Sequence, residues 1–267
     1  MAGSTTAVYL DLARSKRPLV GQLFRREFVA GYRRSFLGLA WVVLTPFLST
    51  FTWLLLRDSG VIEPGDVGVP YLSFLLVGTL FFGLIRGVAM AARMSLLAEN
   101  QLLLHVPLPR EALLVKQVLV ALTNFLASAV IVVVVVAIRG PRPNLSSLPA
   151  VPAALPALMV GAGIGILLAV FSVVVADLDR ILEFGWGVLF VLSGVVYDKE
   201  VTTGVLGRVA SWNPLVEVVA YPRDLYLGLG ATPTSTVVWL WLGSLAFLLV
   251  TVRVFSRSQR FLIERLL

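Results

Sequence analysis

Residues 18–46 read PLVGQLFRREFVAGYRRSFLGLAWVVLTP, and the charge in this stretch stops abruptly partway along it. Residues 18–34 carry apolar side chains at four-residue spacing with the arginines off that stripe, which predicts an amphipathic helix. The stripe consists of Val20, Phe24, Phe28 and Tyr32. Because a basic helix of this kind lies in the plane of a membrane surface, we expect residues 18–34 to form an interface helix. Residues 37–56 then carry no charge and are long enough to cross a hydrocarbon core of about 30 Å.

The whole chain has the composition of a membrane protein. Of its 267 residues, 58% are hydrophobic and 14% are charged, whereas a soluble domain has about 45–50% apolar and about 25% charged residues. The net charge of +7 does not indicate nucleic-acid binding, because the cations lie at the ends of apolar runs rather than in one patch. With no cysteine and a single histidine, His105, the sequence disfavours a disulfide framework and any Cys- or His-based metal site.

The apolar runs predict an all-α membrane protein with six transmembrane helices, and the lack of an internal repeat indicates one domain over residues 1–267. The predicted spans are residues 37–56, 71–92, 113–138, 153–176, 181–197 and 237–255. The β-branched run 131–136 would suit a buried strand, but the length of its span favours helix. Glycines 161, 163 and 165 allow close helix packing. Residues 198–236 are too polar to cross, and short apolar stretches around Trp212-Asn213-Pro214 predict two re-entrant half-helices, residues 205–210 and 215–219.

The distribution of cations predicts the orientation of the chain. Six spans put both termini on one side, and that side carries fifteen lysines and arginines against six on the other. Since cytoplasmic loops are enriched in positive charge, we expect both termini in the cytoplasm. Arg86 lies within a span, where a cation usually faces protein or water. Snorkelling of its side chain towards the cytoplasmic end of the span is the alternative.

Motifs of catalysis and of energy conversion are missing from the sequence. It contains no G-x-x-x-x-G-K-[ST] phosphate loop, no G-x-S-x-G elbow, no H-E-x-x-H motif and no paired carboxylates within the spans. An ion-coupled carrier would be expected to bury a carboxylate, and the nearest candidate, Glu183, lies at the start of a span beside Arg180. We therefore expect a transport subunit, not an enzyme, whose energy comes from another protein.

Four motifs, in order along nearly the whole chain, resemble those of one family. They are Tyr32–Trp41 followed by Thr45-Pro46, Glu99–Arg110, Leu192–Tyr197, and Trp212–Glu217 ahead of Arg223-Asp224. The first is similar to the R-Y-x-x-S-x-L-G-x-x-W…P signature of ABC-2 type permeases, the membrane subunits of bacterial exporters of O-antigen, capsular polysaccharide and teichoic acid. Ala30-Gly31 stands where that signature has a basic residue, so the resemblance does not fix the subfamily.

The resemblance implies a homodimer in the bacterial cytoplasmic (inner) membrane, above a separate ATPase dimer. ATP and Mg²⁺ would bind to that partner, and this chain would bind no cofactor. The implied substrate is a lipid-linked polysaccharide, as in lipopolysaccharide or capsule, or a teichoic acid, passing between the subunits. Two alternatives stay open. One is an ABC-2 exporter of a drug or small lipid, and the other is an ion-coupled carrier. The lack of a long N-terminal interface helix counts against the first.

Three groups of candidate site residues follow. The cytoplasmic segment 93–110 is bounded by prolines where the family has its coupling helix, with a solvated loop as the alternative, and its residues for ATPase contact are Arg93, Glu99, Asn100, Leu102, Leu103, Leu104 and Arg110. Cations that could bind a lipid head group or phosphate, or could only set topology and hold anionic lipid, are Arg25, Arg26, Arg33, Arg34 and Arg86. Aromatic residues that could stack on sugars along a channel, or pack in the core or at the membrane interface, are Trp41, Phe51, Tyr71, Phe81, Phe82, Trp186, Phe190 and Tyr197.

Overall fold

The computed structural model of this chain describes residues 21, 24–25, 40–97, 110–141, 147–172, 175, 177–198, 204–230 and 232–266. In chain order, the helices in these ranges are α1 (Ala40–Asp58), α2 (Tyr71–Leu97), α3 (Arg110–Arg139), α4 (Ala150–Ala153), α5 (Leu155–Ser172), α6 (Leu178–Leu192), α7 (Gly204–Trp212), α8 (Pro214–Leu227) and α9 (Thr234–Leu266). These ranges contain helices and no strand, so the all-α prediction is confirmed, including helix for residues 131–136. Among the described residues, four stretches are long and apolar enough to cross a membrane: Tyr71–Met94, Val115–Arg139, Ala150–Ser172 and Thr234–Ser258.

These four stretches correspond to the predicted second, third, fourth and sixth spans, although α9 continues well beyond residue 255. The predicted first and fifth spans correspond to α1 and α6, and that these two helices also cross stays a prediction. The predicted end of the fifth span at residue 197 is wrong, because α6 stops at Leu192 and Gly194, with a φ of 67°, turns the chain. Its predicted start is also displaced, since the helix begins at Leu178, three residues before the predicted residue 181.

α2 is the centre of the bundle. It packs against α1, α3, α5 and α8 and is mostly buried, whereas only about a tenth of the membrane-spanning residues of α3 and of α9 are buried. The contact with α5 is close: a Cβ atom built at Gly161 would lie 2.7 Å from the Ile85 carbonyl oxygen, and one at Gly165 would collide with the Ala89 carbonyl oxygen. Gly163 gives the same room to α9. The predicted close approach at these glycines is therefore confirmed.

Asn213 joins the two short helices that precede the last span. These helices, α7 and α8, are the predicted pair, but each is longer than the predicted 205–210 and 215–219. The Asn213 Oδ1 atom accepts a hydrogen bond from the backbone N–H of Leu215 over 3.0 Å and so caps α8. Its Nδ2 atom donates to the carbonyl of Leu192 over 2.9 Å, at the end of α6. One side chain thus ties α8 to α6, and re-entry of the pair into a membrane stays a prediction.

Two further side chains hold the turn that follows α6. Arg223 of α8 donates from Nη1 to the Gly194 carbonyl over 2.7 Å, and the Tyr71 hydroxyl of α2 donates to the Val196 carbonyl over 2.8 Å. Arg223 is only 2% exposed, and its charge is compensated by Asp224 at 2.9 Å. The sequence motifs at 192–197 and 212–224 therefore meet in space, and together they fix the end of α6 to the bundle.

Candidate functional site

A cavity of about 860 Å³ lies among α1, α2, α3 and α6. Its aromatic lining residues are Trp41, Trp53, Phe82, Phe125, Trp186 and Phe190, and its polar ones include Thr45, Ser49, Thr79, Asn124 and Ser128. Arg86 is the lining residue that carries a charge, and no carboxylate is among the described lining residues. An apolar and aromatic wall with a few polar groups is typical of a site for an organic ligand.

Helical spacing explains why these residues share one wall. On α1, Trp41, Thr45, Ser49 and Trp53 recur every four residues and so lie on one face of the helix. The same spacing places Gly83 and Gly87 on one face of α2, and Asn124 and Ser128 on one face of α3. The Thr45 hydroxyl donates a hydrogen bond to the Trp41 carbonyl over 2.7 Å. The next residue, Pro46, lies inside α1 and has no backbone N–H to donate.

Arg86 is exposed and forms part of the cavity wall. The ion pairs among the described residues do not include it. A guanidinium group within a span is tolerated where it faces a water-filled cavity. This placement gives the cavity a positive charge that no described protein group neutralises.

Four of the eight predicted channel aromatics line this cavity: Trp41, Phe82, Trp186 and Phe190. The rings of Phe82 and Phe190 meet edge to face with centroids 5.2 Å apart, and Phe190 stacks on Trp53 at 6.0 Å. Phe82 also meets Trp186 at 6.0 Å. These contacts join α1, α2 and α6 in one aromatic cluster beside the cavity.

The other four predicted aromatics lie elsewhere. Tyr71 and Tyr197 are buried near the turn after α6, Phe81 is buried against Phe125, and Phe51 is 57% exposed on α1 outside the cavity wall. The cavity wall also contains residues that were not predicted from the sequence, namely Trp53, Phe125 and the polar residues of α1 and α3. Their four-residue spacing from Trp41 and from each other was the signal that could have identified most of them.

Arg93, assigned from the sequence to ATPase contact, lies inside the bundle. It is 3% exposed; its Nη1 atom lies 2.7 Å from Asp179 Oδ1, and its Nε atom donates to Ser172 Oγ over 2.6 Å. The guanidinium group thus joins α2, the end of α5 and the start of α6. Since Asp179 lies on the helix that carries Trp186 and Phe190, Arg93 connects the end of α2 to a wall of the cavity.

The remaining predicted coupling residues Glu99, Asn100, Leu102, Leu103 and Leu104 lie outside the described residues, and Arg110 is the first residue of α3. Within the predicted interface helix the structure describes Gly21, Phe24 and Arg25, which are helical, with Arg25 exposed. Arg26, Arg33 and Arg34 lie outside the described residues. No group of three or more metal-ligating side chains occurs in the part of the chain that the structure describes.

Comparison with known proteins identifies relatives over most of the chain. The sequence profile of the ABC-2 type transporter family matches residues 18–221. Two proteins from Klebsiella pneumoniae, both named O-antigen export system permease protein RfbA, are 22% and 21% identical to this chain over 236 residues. Each match covers 88% of this chain and 89% of the relative.

Proposed function

The chain belongs to the ABC-2 type transporter family, and we propose that it is the permease subunit of an ATP-driven exporter of a lipid-linked polysaccharide or related cell-envelope polymer. The two relatives are both named as permeases of an O-antigen export system, which supports this substrate class. The observation that carries the proposal is the cavity, which combines aromatic faces for sugar rings with an unpaired cation, Arg86. An acidic sugar or a phosphate of the polymer would meet Arg86.

The proposed topology has six spans within one domain, residues 1–267, with α1 as the first span and α6 as the fifth. Both termini lie in the bacterial cytoplasm, as the excess of cations on that side supports. Two copies form the exporter in the inner membrane, and the polymer passes between them along the cavity wall of each copy. The basic helix over residues 18–34 lies on the cytoplasmic surface, where Arg25, Arg26, Arg33 and Arg34 attract the head group of the lipid carrier.

The proposed energy source is a separate ATPase dimer that binds ATP and Mg²⁺. The absence of a phosphate loop from the sequence supports this division of labour. Residues Glu99, Asn100 and Leu102–Leu104 dock in the ATPase, with Arg110 beside them. Arg93 is not one of the docking residues in this proposal, because its guanidinium group contacts Asp179 and Ser172 inside the bundle.

Trp41→Ala compared with Phe51→Ala tests the role of the cavity. Both side chains project from α1, with exposed fractions of 47% and 57%, but only Trp41 lines the cavity. We expect Trp41→Ala to lower surface polymer several-fold, since an aromatic contact contributes about 0.5–1.5 kcal/mol. Phe51→Ala is expected to leave export unchanged. Surface polymer is measured at equal amounts of membrane-inserted protein, and equal export by the two variants would exclude this cavity as the polymer route.

The volume of the cavity also favours a second candidate, an ABC-2 exporter of a drug or small lipid. About 860 Å³ falls within the range of roughly 300–1,000 Å³ that is usual for small-molecule sites. ATP-dependent extrusion of a lipophilic dye from vesicles that contain the complete transporter, without loss of surface polymer on gene deletion, would favour this candidate. The family assignment and the lack of a carboxylate among the described lining residues both disfavour an ion-coupled carrier.

A further inference from the structure

Two kinds of glycine occur in the membrane helices of this chain. At Gly161 and Gly165 an added Cβ atom would collide with the backbone of α2, so these glycines serve helix packing. At Gly83 and Gly87 of α2 and at Gly187 of α6 an added Cβ atom would meet no described atom within 4 Å. These three glycines line the cavity.

Packing does not account for the second kind. A glycine in a helix interior is less favourable than alanine by about 0.5–1 kcal/mol, and nothing in the described protein would obstruct an alanine at these three positions. The lack of side chains at these three glycines leaves open space in the cavity. Gly83 and Gly87 are one helical turn apart on α2, with Arg86 between them in the sequence, so the open space lies beside the unpaired cation.

Two buried polar groups of the cavity wall lack hydrogen-bond partners within the part of the chain that the structure describes. Thr79 and Trp186 also line the cavity, and they are only 8% and 3% exposed. Thr79 Oγ1 and Trp186 Nε1 have no hydrogen-bond partner among the described residues. Because a buried polar group without a partner costs about 1–3 kcal/mol, a ligand with hydroxyl groups would stabilise this part of the wall.

We propose that Gly83, Gly87 and Gly187 determine the size of the cargo, by keeping a passage wide enough for a hydroxylated sugar unit that carries an anionic group. This inference rests on the proposed export function and adds the residues that select the cargo. Thr79 and Trp186 provide hydrogen-bonding groups for the hydroxyls of the sugar, and Arg86 binds its phosphate or carboxylate. The glycines contribute by the absence of side chains.

The first test compares glycine-to-leucine substitutions inside and outside the cavity. Gly83→Leu, Gly87→Leu and Gly187→Leu are matched by Gly185→Leu on α6 and Gly243→Leu on α9, which do not line the cavity and where a Cβ atom would likewise meet no described atom within 4 Å. We expect each cavity variant to lose surface polymer at least about tenfold, the scale on which pockets reject an extra methylene group. The two controls should stay within about twofold of the wild type, as surface substitutions do.

The second test does not depend on export. Since the chain has no cysteine, Gly87→Cys provides a single thiol, with Gly185→Cys as the control. The protein is purified and placed in nanodiscs. The Gly87→Cys thiol should react with the small water-soluble reagent methanethiosulfonate ethylsulfonate. Its reaction with a bulky maleimide-dextran should be at least about tenfold slower, because the cavity limits the size of what can enter. Reaction with membrane-soluble maleimides alone would show that lipid fills the space and would overturn the inference.

The two tests separate failure of the inference from failure of the proposed function. If deletion of the gene leaves surface polymer unchanged, the proposed function is wrong. If deletion abolishes surface polymer but the three leucine variants export as well as their controls, the proposed function stands and the glycines do not determine the size of the cargo.

Discussion

Arg93 shows how a charge can be buried at the end of a helix bundle. The side chain is 4% exposed and is held by Asp179 at 2.7 Å and by Ser172 at 2.6 Å. A buried cation is tolerated only when it is paired and hydrogen-bonded. Asp179 supplies the opposite charge and Ser172 accepts a hydrogen bond from Nε, whereas the buried Nη1 atom has no well-aligned hydrogen-bond acceptor among the described residues. Asp179 itself is 75% exposed, so water weakens the attraction between the two charges.

Asp179→Asn should therefore destabilise the protein, because it leaves the buried guanidinium of Arg93 without a carboxylate. We expect a loss of about 1–3 kcal/mol in the free energy of unfolding, below the roughly 3–5 kcal/mol of a fully buried pair since Asp179 is 75% exposed. Thermal unfolding in detergent measures the effect. The control is Asp177→Asn, whose partner Arg180 is 88% exposed, and a change within about 0.5 kcal/mol is expected there. Equal effects of the two substitutions would contradict a structural role for the Arg93 pair.

The environments of Arg86 and Arg93 could be predicted only in part from the sequence. Arg86 and Arg93 are seven positions apart on one helix, and the cost of a cation in a span identified Arg86 as notable. That Arg86 faces a cavity while Arg93 is buried depends on α5 and α6, which follow far along the chain. No local pattern contains the position of Asp179, so the pairing of Arg93 could not be predicted.

Asn213 holds the end of α6 to the start of α8 with two hydrogen bonds, one that it donates and one that it accepts. Asn213→Ala should remove both and cost about 1–3 kcal/mol, since the cap alone contributes about 0.5–2 kcal/mol. Asn213→Ser should keep the cap of α8 and lose only the bond to the Leu192 carbonyl, so its unfolding free energy should lie between those of alanine and wild type. Chemical denaturation in mixed micelles provides the ranking, and equal stability of the serine and alanine variants would show that the cap contributes nothing.

Gly165→Ala tests the close packing of α5 on α2. The added methyl group would collide with the Ala89 carbonyl oxygen, which belongs to a helix backbone and cannot move easily. We expect a loss of about 1–3 kcal/mol from overpacking. Gly243→Ala on α9 meets no described atom within 4 Å and should be neutral or slightly stabilising because alanine favours helix. Melting temperatures of the two variants relative to the wild type provide the comparison, and a stable Gly165→Ala variant would mean that α5 can shift away from α2.

Apolar length was sufficient to predict four membrane-spanning stretches, because a helix of that composition has few alternatives. The end of α6 was predicted incorrectly for a physical reason. Residues 193–197 are apolar enough to continue a span, but the carbonyl groups of Gly194 and Val196 accept hydrogen bonds from Arg223 and Tyr71, which lie far away in the sequence. The turn at Gly194 and these tertiary hydrogen bonds together end a helix that composition alone would have extended.

Helix α2 contacts most of the bundle and reaches both the cavity and the turn after α6. The family resemblance identified the motifs at 192–197 and 212–224 but gave no reason for their presence. The structure supplies one, since these motifs bind each other through Asn213 and Arg223. The cavity could be predicted only partly, because its four walls come from helices that the sequence does not order in space.

The proposed division of labour predicts that the purified chain alone hydrolyses no ATP. Hydrolysis should appear only when a partner ATPase is present, because this sequence has no phosphate loop. Phosphate release from ATP by the chain in nanodiscs, with and without the co-expressed ATPase, measures this. Leu103→Asp provides the control for docking, since a charge in an apolar groove should prevent co-purification of the two subunits. Turnover by the chain alone would refute the assignment.

The hydrogen bond between Tyr71 and Val196 joins residues 125 positions apart, and that between Arg93 and Ser172 joins residues 79 apart. During synthesis on a ribosome at about 5–20 residues per second, Tyr71 waits about 6–25 s for its acceptor and Arg93 waits about 4–16 s. A nascent chain halted after Ser172 contains the residues of α2, α3 and α5, yet it lacks Asp179, Val196 and Arg223. In an unfinished chain, Tyr71 and Arg93 of α2 thus lack Val196 and Asp179 as partners. A membrane insertase or protease could recognise these unpaired polar groups during those seconds.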